Sequence, residues 1–174
     1  MADIIHLGKK QSVGPEERPF YSVYCSGING VLDKSGPCSL AFCVINPQGV
    51  ELERHIEELG DNATVHMAEY LGLKLAVNVA SALIKGKPTP KAHFFCSDQL
   101  VVRQMNDEWR INAPYLKIEA QAIREMLKAS KFNWRILWIL GRENLIKSDH
   151  WSNYLAIHPE YIKDAPSMIS NGQS

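Results

Sequence analysis

Three carboxylates fall where secondary structure can aim them. Glu69 interrupts an apolar helical run, Ser97-Asp98 directly follows the short strand-like stretch Ala92 to Cys96, and Asp149 stands where a final helix can begin. Hard divalent cations prefer oxygen ligands, and magnesium is commonly held by one or two carboxylates plus substrate phosphates. Acids on separate elements therefore invite metal chemistry. Each also has a simpler role. A glutamate on a helix can face water, Asp98 can cap the helix that follows it, and an acid in a first helical turn is favoured by the helix dipole. Neither His66 nor His150 has a spacing that establishes a base. Arg142 can meet a phosphate or form a surface ion pair, as with Glu143. Trp109 beside Arg110, with Lys117 further on, can contact a sugar-phosphate backbone or plug a core edge. Trp134 and Trp138 share one face of a strand, where packing is a simpler role than base stacking.

The elements that must position these residues are legible from period and punctuation. Phe20 to Cys25 suits a first strand, which Ser26-Gly27-Ile28-Asn29-Gly30 is expected to end. Cys38 to Ile45 suits a central strand, and Asn46-Pro47-Gln48-Gly49 is a compact turn. Val50, Leu52 and Ile56 share a face of an outer strand, but Arg54 takes the intervening place on it, so the alternation is incomplete. These two strands form an antiparallel hairpin with the first strand beside them. From Thr64 the period changes: Met67, Leu71, Lys74, Leu75 and Val79 predict a long, largely buried helix that ends at Lys85-Gly86-Lys87-Pro88. Ala92 to Cys96 is a short strand, and Leu100, Val101 and Met105 line a short helix. Leu116, Ala120, Ile123 and Leu127 line a longer one, before a buried strand from Phe132 to Leu140 and a last helix from near Ser148.

Composition bounds the rest. A chain of 174 residues fits one domain, read as a leader over 1–19, a folded unit over 20–157 and a tail over 158–174. Nineteen basic residues balance nineteen acidic ones, so no global field draws in a polyanion. The four cysteines, Cys25, Cys38, Cys43 and Cys96, lack any zinc-like spacing and suit buried free thiols in a reducing, intracellular compartment. The apolar stretch from Tyr70 to Ile84 is broken by Lys74, Asn78 and Ser81 and reads as too polar for a membrane span.

The order of elements and four local sequences resemble the ribonuclease H family, from about Tyr21 to Ala156. They are Tyr24-Cys25-Ser26-Gly27, Ala68-Glu69-Tyr70, Cys96-Ser97-Asp98-Gln99, and Lys147-Ser148-Asp149-His150-Trp151-Ser152-Asn153. The resemblance implies an α/β fold with a mixed five-stranded sheet flanked by helices. It also implies that Glu69, Asp98 and Asp149 are catalytic and ligate magnesium or manganese. Arg142, Arg110 and Lys117 are then candidate phosphate contacts. The departure is at Ser26, where the family carries its first catalytic aspartate.

Two-metal phosphodiester hydrolysis needs the ions about 3.5–4 Å apart, and the family's first-strand aspartate bridges them. A serine hydroxyl offers one neutral oxygen and cannot clamp a pair of dications, so weak or single-metal binding is expected. Asp33 could compensate only if its loop returned it towards Glu69. The resulting reading is an impaired domain that binds RNA or an RNA–DNA hybrid, or serves in a nucleic-acid assembly. The alternatives are a metal-dependent endoribonuclease cleaving the RNA of such hybrids, and a protein-binding scaffold. No membrane partner is expected.

Overall fold

The computed structural model describes residues 18–30, 36–88 and 90–164; Asp33 lies outside them. Five strands form one mixed sheet: β1 (Tyr21–Asn29), β2 (Gly36–Ile45), β3 (Glu51–Ala63), β4 (Lys91–Cys96) and β5 (Asn133–Trp138), in the spatial order β3-β2-β1-β4-β5. β1, β2 and β3 pair antiparallel, whereas β4 runs parallel to both β1 and β5. The helices are α1 (Val65–Ile84), α2 (Gln99–Met105), α3 (Pro114–Ala129) and α4 (Lys147–Ile157).

The sheet separates two apolar layers. Val23 and Cys25 of β1, with Phe42 and Val44 of β2, join Leu73, Ala76 and Val77 of α1 and Leu116, Ala120 and Ile123 of α3 in the main core. The alternate residues Tyr24, Ala41 and Cys43 pack on the other face with Phe95, Leu137 and Ile146. Ile28 meets Trp151 and Tyr154 of α4. The strand period of two thus sends successive β1 side chains to α1 and to α4 in turn.

Thr64 caps α1 by accepting from the Met67 amide, which fixes the helix start where the sequence period changes. Asn46 holds the β2–β3 turn by accepting from the amides of Gln48 and Val50, and Gly49 takes a positive φ of 83° there. By length and mean hydropathy α1 does reach what a membrane crossing needs, contrary to the reading of its polar interruptions. In the fold it packs on β1 and β2 and against α3. The four cysteines are buried.

Two of the differences from the expected element boundaries bear on the site. β1 does not end at Cys25 but continues through Ser26 and Gly27 to Asn29. Gly27 serves close packing rather than a turn: a Cβ there would lie 2.5 Å from the Glu69 backbone nitrogen. β3 extends to Ala63 as a long edge strand. Its Arg54 stands opposite Cys43, on the α4 side of the sheet, which explains the break in the apolar alternation.

Candidate functional site

Ser26 is fully buried on β1 and faces α4. Its Oγ lies 2.8 Å from Nδ1 of His150, and Nε2 of the same ring lies 2.8 Å from Oγ of Ser39. Ser39 donates onward to the Glu57 carbonyl at 3.0 Å. That last bond sets the polarity of the chain. Having given its proton to the carbonyl, Ser39 accepts from His150 Nε2–H, which leaves Nδ1 to accept the Ser26 hydroxyl proton. A neutral imidazole satisfies every member. Burial, with Lys147 nearby, pushes the His150 pKa down to about 3, in keeping with that assignment. Ser26 is therefore held in a closed, uncharged Ser–His–Ser relay.

Glu69 reaches the same region from α1, beside Gly27, and is itself buried. Burial raises its pKa to about 7, opposed by Lys147 and reinforced by Asp98. The Lys147 ammonium, on the first residue of α4, stands 3.6 Å from Glu69 Oε1 and donates to the Gly27 carbonyl at 3.2 Å. Glu69 Oε2 is buried without a hydrogen-bond partner among the described residues.

Asp98 caps α2: its Oδ1 accepts from the Leu100 amide at 2.9 Å, while Oδ2 lies 2.6 Å from Nδ1 of His66. Both carboxylate oxygens are engaged. Asn144, buried just before α4, donates to the Cys25 carbonyl at 2.7 Å and to Ser97 Oγ at 3.4 Å. It ties the α4 entrance to the middle of β1 and to the residue that follows β4.

Asp149 does not join this group. It is exposed and pairs with Arg54 of β3, which also binds Glu51 at 2.8 Å. The reason is helix phase: consecutive residues on an α-helix point about 100° apart, and with His150 turned inward onto Ser26, Asp149 is carried out towards the sheet edge. Glu69, Asp98 and Asp149, expected to converge on metal, are each engaged by a different partner in this structure. One acid faces an ammonium, one is shared between a cap and a histidine, and one is held by an arginine. Among the described residues no group of three or more His, Cys, Asp or Glu side chains is arranged to hold a metal ion. The described residues do not fit a two-metal centre.

The candidate phosphate contacts lie in two places. Arg142 is exposed on the 3-10 turn Gly141–Glu143, while Glu143 accepts from the Leu140 amide instead of pairing with it. Arg110 and Lys117 line an open depression of about 500 Å³ with Trp109 and Arg124, between α2 and α3. Trp109 is 46% exposed and carries the Arg103 guanidinium 5.4 Å from its ring centre. It does not plug the core. Of the residues that build the site, Lys147, Asn144 and His150 gave no signal as sequence beyond their nearness to Asp149. His66 and His150 lacked any spacing to a partner because their partners, Asp98 and Ser26, lie on distant strands or their ends.

This sheet order, with its flanking helices, is that of a ribonuclease H-like α/β fold. Solved structures with the same fold include the ribonuclease H1 of the halophilic archaeon Halobacterium salinarum NRC-1, at 22% identity and a TM-score of 0.62, covering 71% of this chain and 88% of that one. The N-terminal ribonuclease H domain of a Mycobacterium tuberculosis protein, solved as a fusion with maltose-binding protein, is 22% identical over 71% of this chain and 89% of that one, with a TM-score of 0.62. LC11 ribonuclease H1 in complex with an RNA/DNA hybrid is 20% identical over 72% of this chain and 88% of that one, with a TM-score of 0.64. LC11 ribonuclease H1 was isolated from compost by a metagenomic approach. No family model matches the sequence, and no curated protein matches it.

Proposed function

We propose that this chain is a catalytically impaired ribonuclease H-like domain that binds RNA or an RNA–DNA hybrid, alone or within a nucleic-acid assembly. The observation that carries the impairment is the neutral relay of Ser26, His150 and Ser39. Without a central carboxylate, two dications at the spacing that phosphodiester hydrolysis needs would repel each other unopposed.

Binding is supported by a different set of residues. Arg110 and Lys117, with Arg124 paired to Asp107, line the same open depression as the exposed indole of Trp109, a combination that suits a phosphate backbone with a stacking base or sugar. LC11 ribonuclease H1, with the same fold, was solved with an RNA/DNA hybrid. A protein scaffold would be favoured by an aromatic surface free of basic residues, whereas Trp109 lies beside basic ones and Trp151 is buried. Four buried thiols suit a reducing compartment.

The test is to measure binding and cleavage of a labelled RNA–DNA hybrid side by side, with magnesium and with manganese. The expected result is binding without cleavage. Metal-dependent cleavage that Asp98→Asn abolishes would replace this reading with an active endoribonuclease. Absence of binding to both hybrid and RNA would replace it with a protein-binding scaffold.

A further inference from the structure

The disagreement between this site and a metal centre has a specific form. A buried carboxylate needs a cation, and here one is already attached to the chain. Lys147 is the first residue of α4, and its side chain is only 14% exposed. Its ammonium faces Glu69 Oε1 at 3.6 Å and is fixed from a second direction by the Gly27 carbonyl at 3.2 Å. Gly27 can approach because it has no side chain where α1 crosses β1. The second Glu69 oxygen is buried with no hydrogen-bond partner among the described residues, so the cradle has one more acceptor than the ammonium satisfies. A lysine ammonium carries one positive charge and three donors, which suits a carboxylate and a carbonyl. It would be driven out by a dication only against its own tether.

We propose that Lys147 is the resident cation of this site, an ammonium that takes the place of a divalent metal beside Glu69 and excludes magnesium and manganese from it. Removing the amine then uncovers a latent metal site formed by Glu69, the Gly27 carbonyl and water. This holds whether or not the domain binds nucleic acid, because the occupant of the cradle is a property of the free protein.

The experiment is a manganese titration of the full chain, reading free Mn²⁺ by its electron paramagnetic resonance signal. Lys147→Met should bind Mn²⁺ at least about tenfold more tightly than the unmodified protein, a gain of one decade in affinity. Lys147→Arg should bind no more tightly than the unmodified protein. The double variant Lys147→Met/Glu69→Gln should lose the gain, which assigns it to this cradle and not to the acidic surface. Equal Mn²⁺ affinity in the unmodified protein and a folded Lys147→Met variant would overturn the proposal. A second measurement needs no variant at Lys147. Reductive methylation with ¹³C keeps the lysine charge and gives Lys147 its own NMR signal. That signal should move in Glu69→Gln and stay in place in the otherwise unmodified protein up to about 10 mM magnesium, an ion that dehydrates reluctantly. A signal that magnesium displaces as far as Glu69→Gln does would also sink the idea.

Discussion

At the scale of single residues, the central fact is that Ser26 is bonded into its surroundings and is not an empty place left by a lost acid. A carboxylate introduced there is therefore not expected to create a metal centre by itself. In Ser26→Asp the new acid would lie against His150, whose ring is 2.8 Å from the present hydroxyl. An opposite charge at that range favours the imidazolium. His150 should then rise from a pKa of about 3 to above neutrality as a buried ion pair, visible in the ¹⁵N shifts of its imidazole. Cleavage of hybrid should stay undetectable, since Lys147 and Arg54 still hold Glu69 and Asp149. Magnesium-dependent cleavage by Ser26→Asp alone would mean that the remaining acids are free to move onto metal. The sequence made Ser26, Glu69 and Asp98 visible as positions, since short local motifs carried them. It could not reveal the relay, whose members come from β1, β2 and α4 and meet only when the sheet is assembled.

At the scale of elements, Gly27 and the α2–α3 segment each support a prediction. Gly27 lets α1 lie on β1, and a Cβ would meet the Glu69 nitrogen at 2.5 Å and the Ala68 carbonyl carbon at 2.8 Å. These are backbone atoms, which cannot swing away. Gly27→Ala should cost about 3 kcal/mol, the upper part of the usual range for overpacking, read as a lower denaturant midpoint at unchanged slope. Gly30 has aromatic ring atoms of Tyr161 as its near neighbours, so the packed chain continues past residue 157. On the α2–α3 segment, Arg110→Glu and Lys117→Glu should each weaken hybrid binding and each lower the slope of log affinity against log salt by about one, the signature of a lost phosphate contact. A slope unchanged by both would place the nucleic acid elsewhere. Period and punctuation located every strand and helix described here, because apolar spacing and caps act within one element. They misplaced the end of β1, since a glycine that admits a neighbouring helix looks in sequence like one that makes a turn. They also could not tell which way the first turn of α4 faces, and one residue of helix phase separates Asp149 from His150.

At the scale of the whole molecule, the buried titratable groups set how stability responds to pH, and their signs oppose. His150 and His93 are held neutral by burial, with pKa values pushed down to about 3 and about 4, and His93 also stacks on Phe20 at 3.8 Å. Below about pH 6.5 the unfolded chain takes up protons at these residues that the folded chain refuses, so each removes stability as pH falls. Glu69 acts the other way. Its pKa is raised to about 7 from an ordinary 4.5, so between those values the folded chain holds the extra proton and acidification is stabilising. Two losses against one gain leave a net fall of about 1.4 kcal/mol per pH unit between about pH 6.5 and 4.5. The fall should not steepen below about pH 4.5, because His93, with its own pKa of about 4, stops contributing as the gain from Glu69 is completed. Two variants separate the terms. Glu69→Gln should double the acid slope, because only the histidines remain. His150→Gln keeps a donor for Ser39 and an acceptor for Ser26, and should flatten the profile by leaving His93 and Glu69 in near balance. Urea unfolding of all three proteins from pH 7.5 to 4.5 reads these slopes. A slope in His150→Gln as steep as in the unmodified protein would show that the imidazole already carries its proton in the fold, and with it that the relay is not neutral.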